Sequence, residues 1–209
     1  MKNGKLILRI GIAFLGLMFC GIGVGTFLFA GMGVDPASVL MQGISKSVGI
    51  SYGTASAAVN ILILVIVFLV DKKYINISSL IAIFGIGYTA DYTNRLLLWL
   101  LGTENSLLTK SILLAVGLVI IGIGVATYIH ADLGVGAIDL ISEVVSEKSG
   151  VQYRIVRIIS DVFLLVAGFV LGGTVGIGTV LAAFGIGPIV QFVRPTVMRI
   201  LDKQLRRDE

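Results

Sequence analysis

Apolar residues along the 209-residue chain gather into long runs. They do not alternate as in a half-buried strand or form the narrow stripe of a soluble amphipathic helix. The runs cover residues 6–30, 54–70, 75–93, 107–129, 155–171 and 174–193. A helix rising about 1.5 Å per residue needs about 20 residues to cross a hydrocarbon core of about 30 Å. Six spans are therefore predicted. Two further segments, 35–48 and 136–148, are too short to cross, since about 13 residues reach only about 20 Å. Both carry helix signals. Asp35-Pro36 is an N-cap acid followed by proline at the first helical position. Ala37, Leu40, Met41, Ile44 and Val48 then share one face, opposite Ser38, Gln42, Ser45 and Lys46. In the second segment Asp139, Ser142, Glu143 and Ser146 form the polar stripe. Each segment is either an amphipathic helix lying in the membrane interface or a re-entrant half-helix lining a cavity.

The pattern repeats. Shifting residues 21–70 by 101 positions without a gap gives 14 identities in 50, among them Gly33 with Gly134 and Tyr52 with Tyr153. A shift of 100 superimposes residues 81–87 on 181–187 with five of seven identical. An odd number of spans per copy makes the second copy enter the membrane upside down. The fold predicted is a single all-α membrane domain over 1–209, with six transmembrane helices in two inverted three-helix repeats, 6–102 and 107–207. Each repeat has a short amphipathic or re-entrant helix after its first span.

Composition narrows the class. Hydrophobic residues make up 56% and charged residues 13% of the chain, against about 25% charged in soluble domains. A chain this short cannot hide so much apolar surface from water. The net charge of +4 has an arrangement. With the N-terminus inside, 13 of the 16 Lys and Arg fall on the cytoplasmic side, leaving only Lys46, Arg95 and Lys110 outside. Both termini are then cytoplasmic, and the basic tail 199–207 is expected on anionic lipid. The basic start and long first run read as a retained span, since no cleavage site follows. No basic run interleaved with aromatics points to nucleic acid. One cysteine, Cys20, and one histidine, His130, allow no intrachain disulfide and no dense Cys/His metal site. No cofactor is expected.

Candidate chemistry lies inside the spans. Asn60 and Asp161 occupy equivalent positions of the two copies, and a polar group at that depth is expected to face a bundle interior or cavity. Arg157, four residues before Asp161, offers a local ion pair instead. Asp35 with Ser38, and Asp139 with Glu143, stand at the two expected entrances. His130 and Asp132 follow the fourth span, where they either titrate near neutrality or hydrate a span end. Asp91 and Arg95 are spaced for an i,i+4 ion pair. Small-xxx-small spacings such as Gly21/Gly25 and Gly168/Gly172 favour close helix packing and are compatible with a homo-oligomer or a partner membrane complex. Gly21-x-Gly23-x-Gly25 sits within a span with no strand before it, no P-loop lysine is present, and no catalytic constellation stands out, so no enzyme activity is expected.

The run Gly33-Val34-Asp35-Pro36-x-Ser38-Val39-Leu40-x-x-Gly43-Ile44-Ser45, then Gly49-Ile50-Ser51-Tyr52-Gly53-Thr54 and Asn60, resembles the YczE/YyaS/YitT family of bacterial integral membrane proteins, its YczE branch in particular. Position 32 is Met where that pattern has leucine. The resemblance implies a multi-span helical protein of the bacterial cytoplasmic membrane. It carries over no catalytic or ligand residue. Two functions stand: a small-solute or ion transporter or channel with its site between the repeats, or a non-transporting scaffold of a partner complex.

Overall fold

A computed structural model describes residues 3–103 and 106–207, with the side chains of 3–5 and 202–207 excepted, so the expectations for Lys5 and for the tail's Lys203, Arg206 and Arg207 lie outside the described side chains. Among the described residues the chain is all-α: α1 Asn3–Ala30, α2 Pro36–Val48, α3 Tyr52–Asp71, α4 Ile77–Leu101, α5 Leu107–His130, α6 Ala137–Ser149, α7 Tyr153–Val170 and α8 Ile177–Arg207. A short 3₁₀ turn, Lys72–Tyr74, follows α3.

The breaks come where the sequence requires them. α1 stops before Gly33 at φ +102°, and α5 before Gly134 at φ +93°, a backbone region open to glycine and strained for other residues. Asp35 then caps α2, its carboxylate accepting from the Ser38 N–H at 3.2 Å, with Pro36 at the first helical position. α6 starts without a side-chain cap, from Gly136. Both short helices have 13 residues.

Among the described residues four helices are long and apolar enough to cross a membrane, over Leu6–Ala30, Tyr52–Tyr74, Leu107–His130 and Ile177–Leu201. The other two predicted spans, α4 and α7, are diluted by polar residues. α7 holds Arg154, Arg157 and Asp161 within 18 residues, and α4 holds Ser78, Ser79, Asp91, Asn94 and Arg95. Large apolar side chains face outward nonetheless. Phe163, Phe184 and Phe192 are 70%, 77% and 85% exposed, an exposure that lipid satisfies and water does not.

α1 and α5 cross antiparallel at the centre. Gly16 meets Tyr128 and Gly124, Gly23 meets Ile121 and Gly117, and the Phe27 ring lies against Gly117. α4 runs parallel to α1, and α8 parallel to α5, through Gly21 on Thr89 and Gly122 on Ile189. The first turns of α4 and α8 tie into the breaks on the opposite side of the chain: Ser78 N–H donates to Leu133 C=O at 3.3 Å, and Gly178 N–H to Met32 C=O at 2.8 Å. α2 packs mainly on α7 and also on α3, while α6 packs on both.

Ser38, Val39, Met41 and Gly43 are the buried positions of α2, and Val48 is 65% exposed. The apolar side of a helix need not face inward when lipid solvates it, and Ser38 turns inward to accept from the Tyr52 hydroxyl at 2.9 Å.

Candidate functional site

All eight helices contribute to one cavity of about 460 Å³. The ends of α2 and α6 reach it with Asp35, Pro36 and Ser38 on one side and Gly136, Ala137 and Asp139 on the other. α3 supplies Tyr52, Ser56 and Asn60, and α7 the equivalents Tyr153, Arg157 and Asp161. α1, α4, α5 and α8 give mostly apolar wall, including Leu17, Val24, Ala82, Ile86, Ile121 and Ala182. Sole cysteine Cys20 is buried there as a free thiol.

Five of the sequence candidates meet in this cavity: Asp35, Ser38, Asn60, Asp139 and Asp161. Three do not line it. Glu143 is exposed on α6. Asp132 is 85% exposed and pairs with Arg9 at 3.5 Å. His130 is half-buried at the end of α5. Asp91 and Arg95 do not form the expected pair, because Asp91 turns to the first turn of α3 and accepts from the Gly53 N–H at 2.8 Å. A helix N-terminus offers a carboxylate unsatisfied N–H groups and a favourable dipole.

Arg157 is the electrostatic centre. Its guanidinium pairs with Asp139 across from α6 and with Asp161 on its own helix at 3.2 Å. The i,i+4 pair read from the sequence is therefore present, extended by a partner the spacing could not show. Tyr128 donates to Asp139 at 3.3 Å. Asn60 is 5% exposed and donates a long 3.4 Å hydrogen bond to Ser56. Burial pushes the Asp35 carboxyl above its ordinary value; the Ser38 hydrogen bonds and the charge of Arg157 pull it back, and the nearby Asp161 raises it. Among the described residues no group of three His, Cys, Asp or Glu side chains could hold a metal ion.

The two sides of the cavity are closed unequally. α3 and α4 are zipped, with Gly87 against Ser56 and Gly53 against both Gly87 and Asp91. The equivalent place on α8, Gly187, lines the cavity and has open space where a side chain would be. α7 packs mainly on α2 and α6, and α8 mainly on α5. The mouth beside them is edged by exposed Ile129, Tyr153 and Ala183. Tyr52 and Tyr153 carried a sequence signal, as matched positions of the repeat. Tyr128 carried none.

Residues 7–195 match the family described as "Family of unknown function (DUF6198)". The chain is 29% identical over 204 residues to the uncharacterized membrane protein YczE of Bacillus subtilis, covering 97% of this chain and 93% of that one. It is 27% identical to the uncharacterized protein YyaS of the same organism, covering 92% and 96%. An uncharacterized protein of Haemophilus influenzae is 29% identical over 91% of this chain and 85% of its own. These relatives bear out the resemblance to YczE and YyaS. No solved structure matches.

Proposed function

The chain belongs to the DUF6198 family, and from that footing we propose that it is a small-solute transporter of the bacterial cytoplasmic membrane. In this reading α1, α3, α4, α5, α7 and α8 are six spans in two inverted repeats, α2 and α6 are re-entrant half-helices, and both termini are cytoplasmic. It needs no enzyme activity and no cofactor. The antiparallel crossing of the equivalent helices α1 and α5, and the reciprocal ties from α4 and α8 to the two breaks, support the inversion. The name of the Bacillus relative, a membrane protein, supports the location.

The observation that carries the reading is the cavity. It lies where the two copies meet, collects Asn60 and Asp161, and is zipped along α3–α4 while open beside Gly187. Inverted-repeat transporters hold their site near the midplane, at discontinuous helices, and open it alternately to either side. An unequal closure of equivalent helix pairs is what one end state of such a cycle requires. A scaffold needs no polar cavity between its halves, so this observation favours transport over it.

Reconstituted vesicles loaded with a defined metabolite mixture, with efflux read by mass spectrometry, test the reading. At least one solute should leave wild-type vesicles faster than protein-free ones, and Asp161→Asn should slow that efflux at least tenfold. Efflux equal to that of protein-free vesicles, or unchanged by Asp161→Asn, would remove the transport reading or this residue from it.

A further inference from the structure

The chemistry of the cavity wall is one-sided. Three carboxylates (Asp35, Asp139 and Asp161) face a single guanidinium, and Arg157 is already engaged by two of them. Asp35 has no cation within ion-pair distance among the described residues; its partner is the Ser38 N–H. Two of the hydroxyl donors are committed, Tyr52 to Ser38 and Tyr128 to Asp139, and Ser56 and Tyr153 supply further hydroxyls on the wall. Asn60 adds a second, independent signal. It is 5% exposed, its amide nitrogen is engaged by Ser56, and its amide oxygen has no partner among the described residues. An amide on the cavity wall with its oxygen uncommitted can accept from a donor on a ligand. The acceptors open to a ligand are thus Asp35, the Asp161 oxygen that Arg157 Nε does not hold and the Asn60 amide oxygen, on a wall that also includes Leu17, Val24, Ile86 and Ile121.

We propose that this cavity binds a small organic cation, a protonated amine on an apolar body, whose N–H groups are received by Asp35, Asp161 and the amide oxygen of Asn60. An anion would meet three carboxylates and one cation, Arg157, that two of them already engage. A sugar, being neutral, would leave the excess of carboxylates over the single guanidinium uncompensated. A bare metal ion needs several carboxylates converging on one point, and no three His, Cys, Asp or Glu side chains among the described residues do so. The apolar wall then selects the body of the ligand, and about 460 Å³ falls within the range of small-molecule pockets, about 300–1,000 Å³. This deepens the transport reading by naming its substrate class, yet binding is measurable without transport.

The full chain in detergent is titrated calorimetrically with a series of primary amines (methylamine, butylamine, phenethylamine, tryptamine), each beside its neutral alcohol and its carboxylate analogue. Phenethylamine or tryptamine should bind at least tenfold more tightly than the matching alcohol and carboxylate. Asp35→Asn, which keeps a capping side chain, should weaken that binding at least tenfold. Asn60→Asp should strengthen it several-fold, a gain that misfolding cannot produce. Lys73→Gln, on a distant exposed pair, should leave it unchanged. The proposal is overturned if no amine binds at 10 mM, if the alcohol or carboxylate binds as well, or if Asn60→Asp fails to strengthen binding. Amine binding without efflux from vesicles would leave this inference standing and sink transport. Efflux of other solutes without amine binding would do the reverse.

Discussion

Arg157 holds two carboxylates from two helices, with side chains between a quarter and a third exposed. Removing one partner of a fully buried pair costs about 3–5 kcal/mol, because the charge left behind stays desolvated. Partial exposure discounts that, so Arg157→Ala should destabilise the protein by about 1–3 kcal/mol, read as a lower Tm in detergent, and Arg157→Lys should recover part of it. Asp139→Asn combined with Asp161→Asn should make Arg157→Ala less damaging than it is alone. At the far end of α6 the Tyr74 hydroxyl, and secondarily the Lys73 ammonium at 2.9 Å, hold the Glu147 carboxyl below its ordinary value. A carboxyl whose folded value is depressed stabilises the fold above its unfolded value and loses that contribution as pH falls through the depressed one. The Tm advantage of the wild type over Glu147→Gln should therefore be present at neutral pH and vanish on acidification; an advantage that grows in acid would contradict it. Asn60 and Asp161 were legible in the sequence because the repeat register aligns them and because polar groups within a span are conspicuous. That Asp139 pairs with Arg157 was not legible, because a contact across 18 residues and two helices leaves no trace in spacing.

At the scale of elements, glycine decides which helices touch. A Cβ at Gly124 would lie 2.7 Å from the Cys20 backbone nitrogen and from the Gly16 carbonyl oxygen, neither of which can move aside. Gly124→Ala should cost about 1–3 kcal/mol through forced separation of α1 and α5. Gly11, on α1, has nothing within 4 Å of its ideal Cβ, so Gly11→Ala should be neutral or stabilise by up to about 1 kcal/mol through helix propensity. Equal Tm changes for the two would show that the α1–α5 contact is looser than described. The existence and bounds of the helices were readable from apolar runs and caps; the predicted short segment 35–48 became α2, Pro36–Val48, starting at the Asp35-Pro36 signal. The inward face of α2 was not readable. Apolar periodicity marks the core side of a helix only where the outside is water, and Ser38 is buried while Val48 is not.

For the whole molecule, the claim is that equivalent elements stand upside down to each other about a shared cavity, closed along α3–α4 and open beside α8. Sequence identity between the copies and the charge distribution pointed to the inversion. The unequal closure had no sequence signature, because Gly87 and Gly187 are the same residue in the same motif and differ only in what packs against them. Side-specific thiol labelling tests the claim most directly. In a Cys20→Ser background, single cysteines replace Lys46 at the end of α2, Lys148 at the end of α6, and Asp161 in the cavity. A membrane-impermeant reagent should label position 46 in intact cells and not in inside-out vesicles. It should label positions 148 and 161 in inside-out vesicles and not in intact cells. Labelling of positions 46 and 148 from the same face would contradict the inverted arrangement, and with it the site between the two halves.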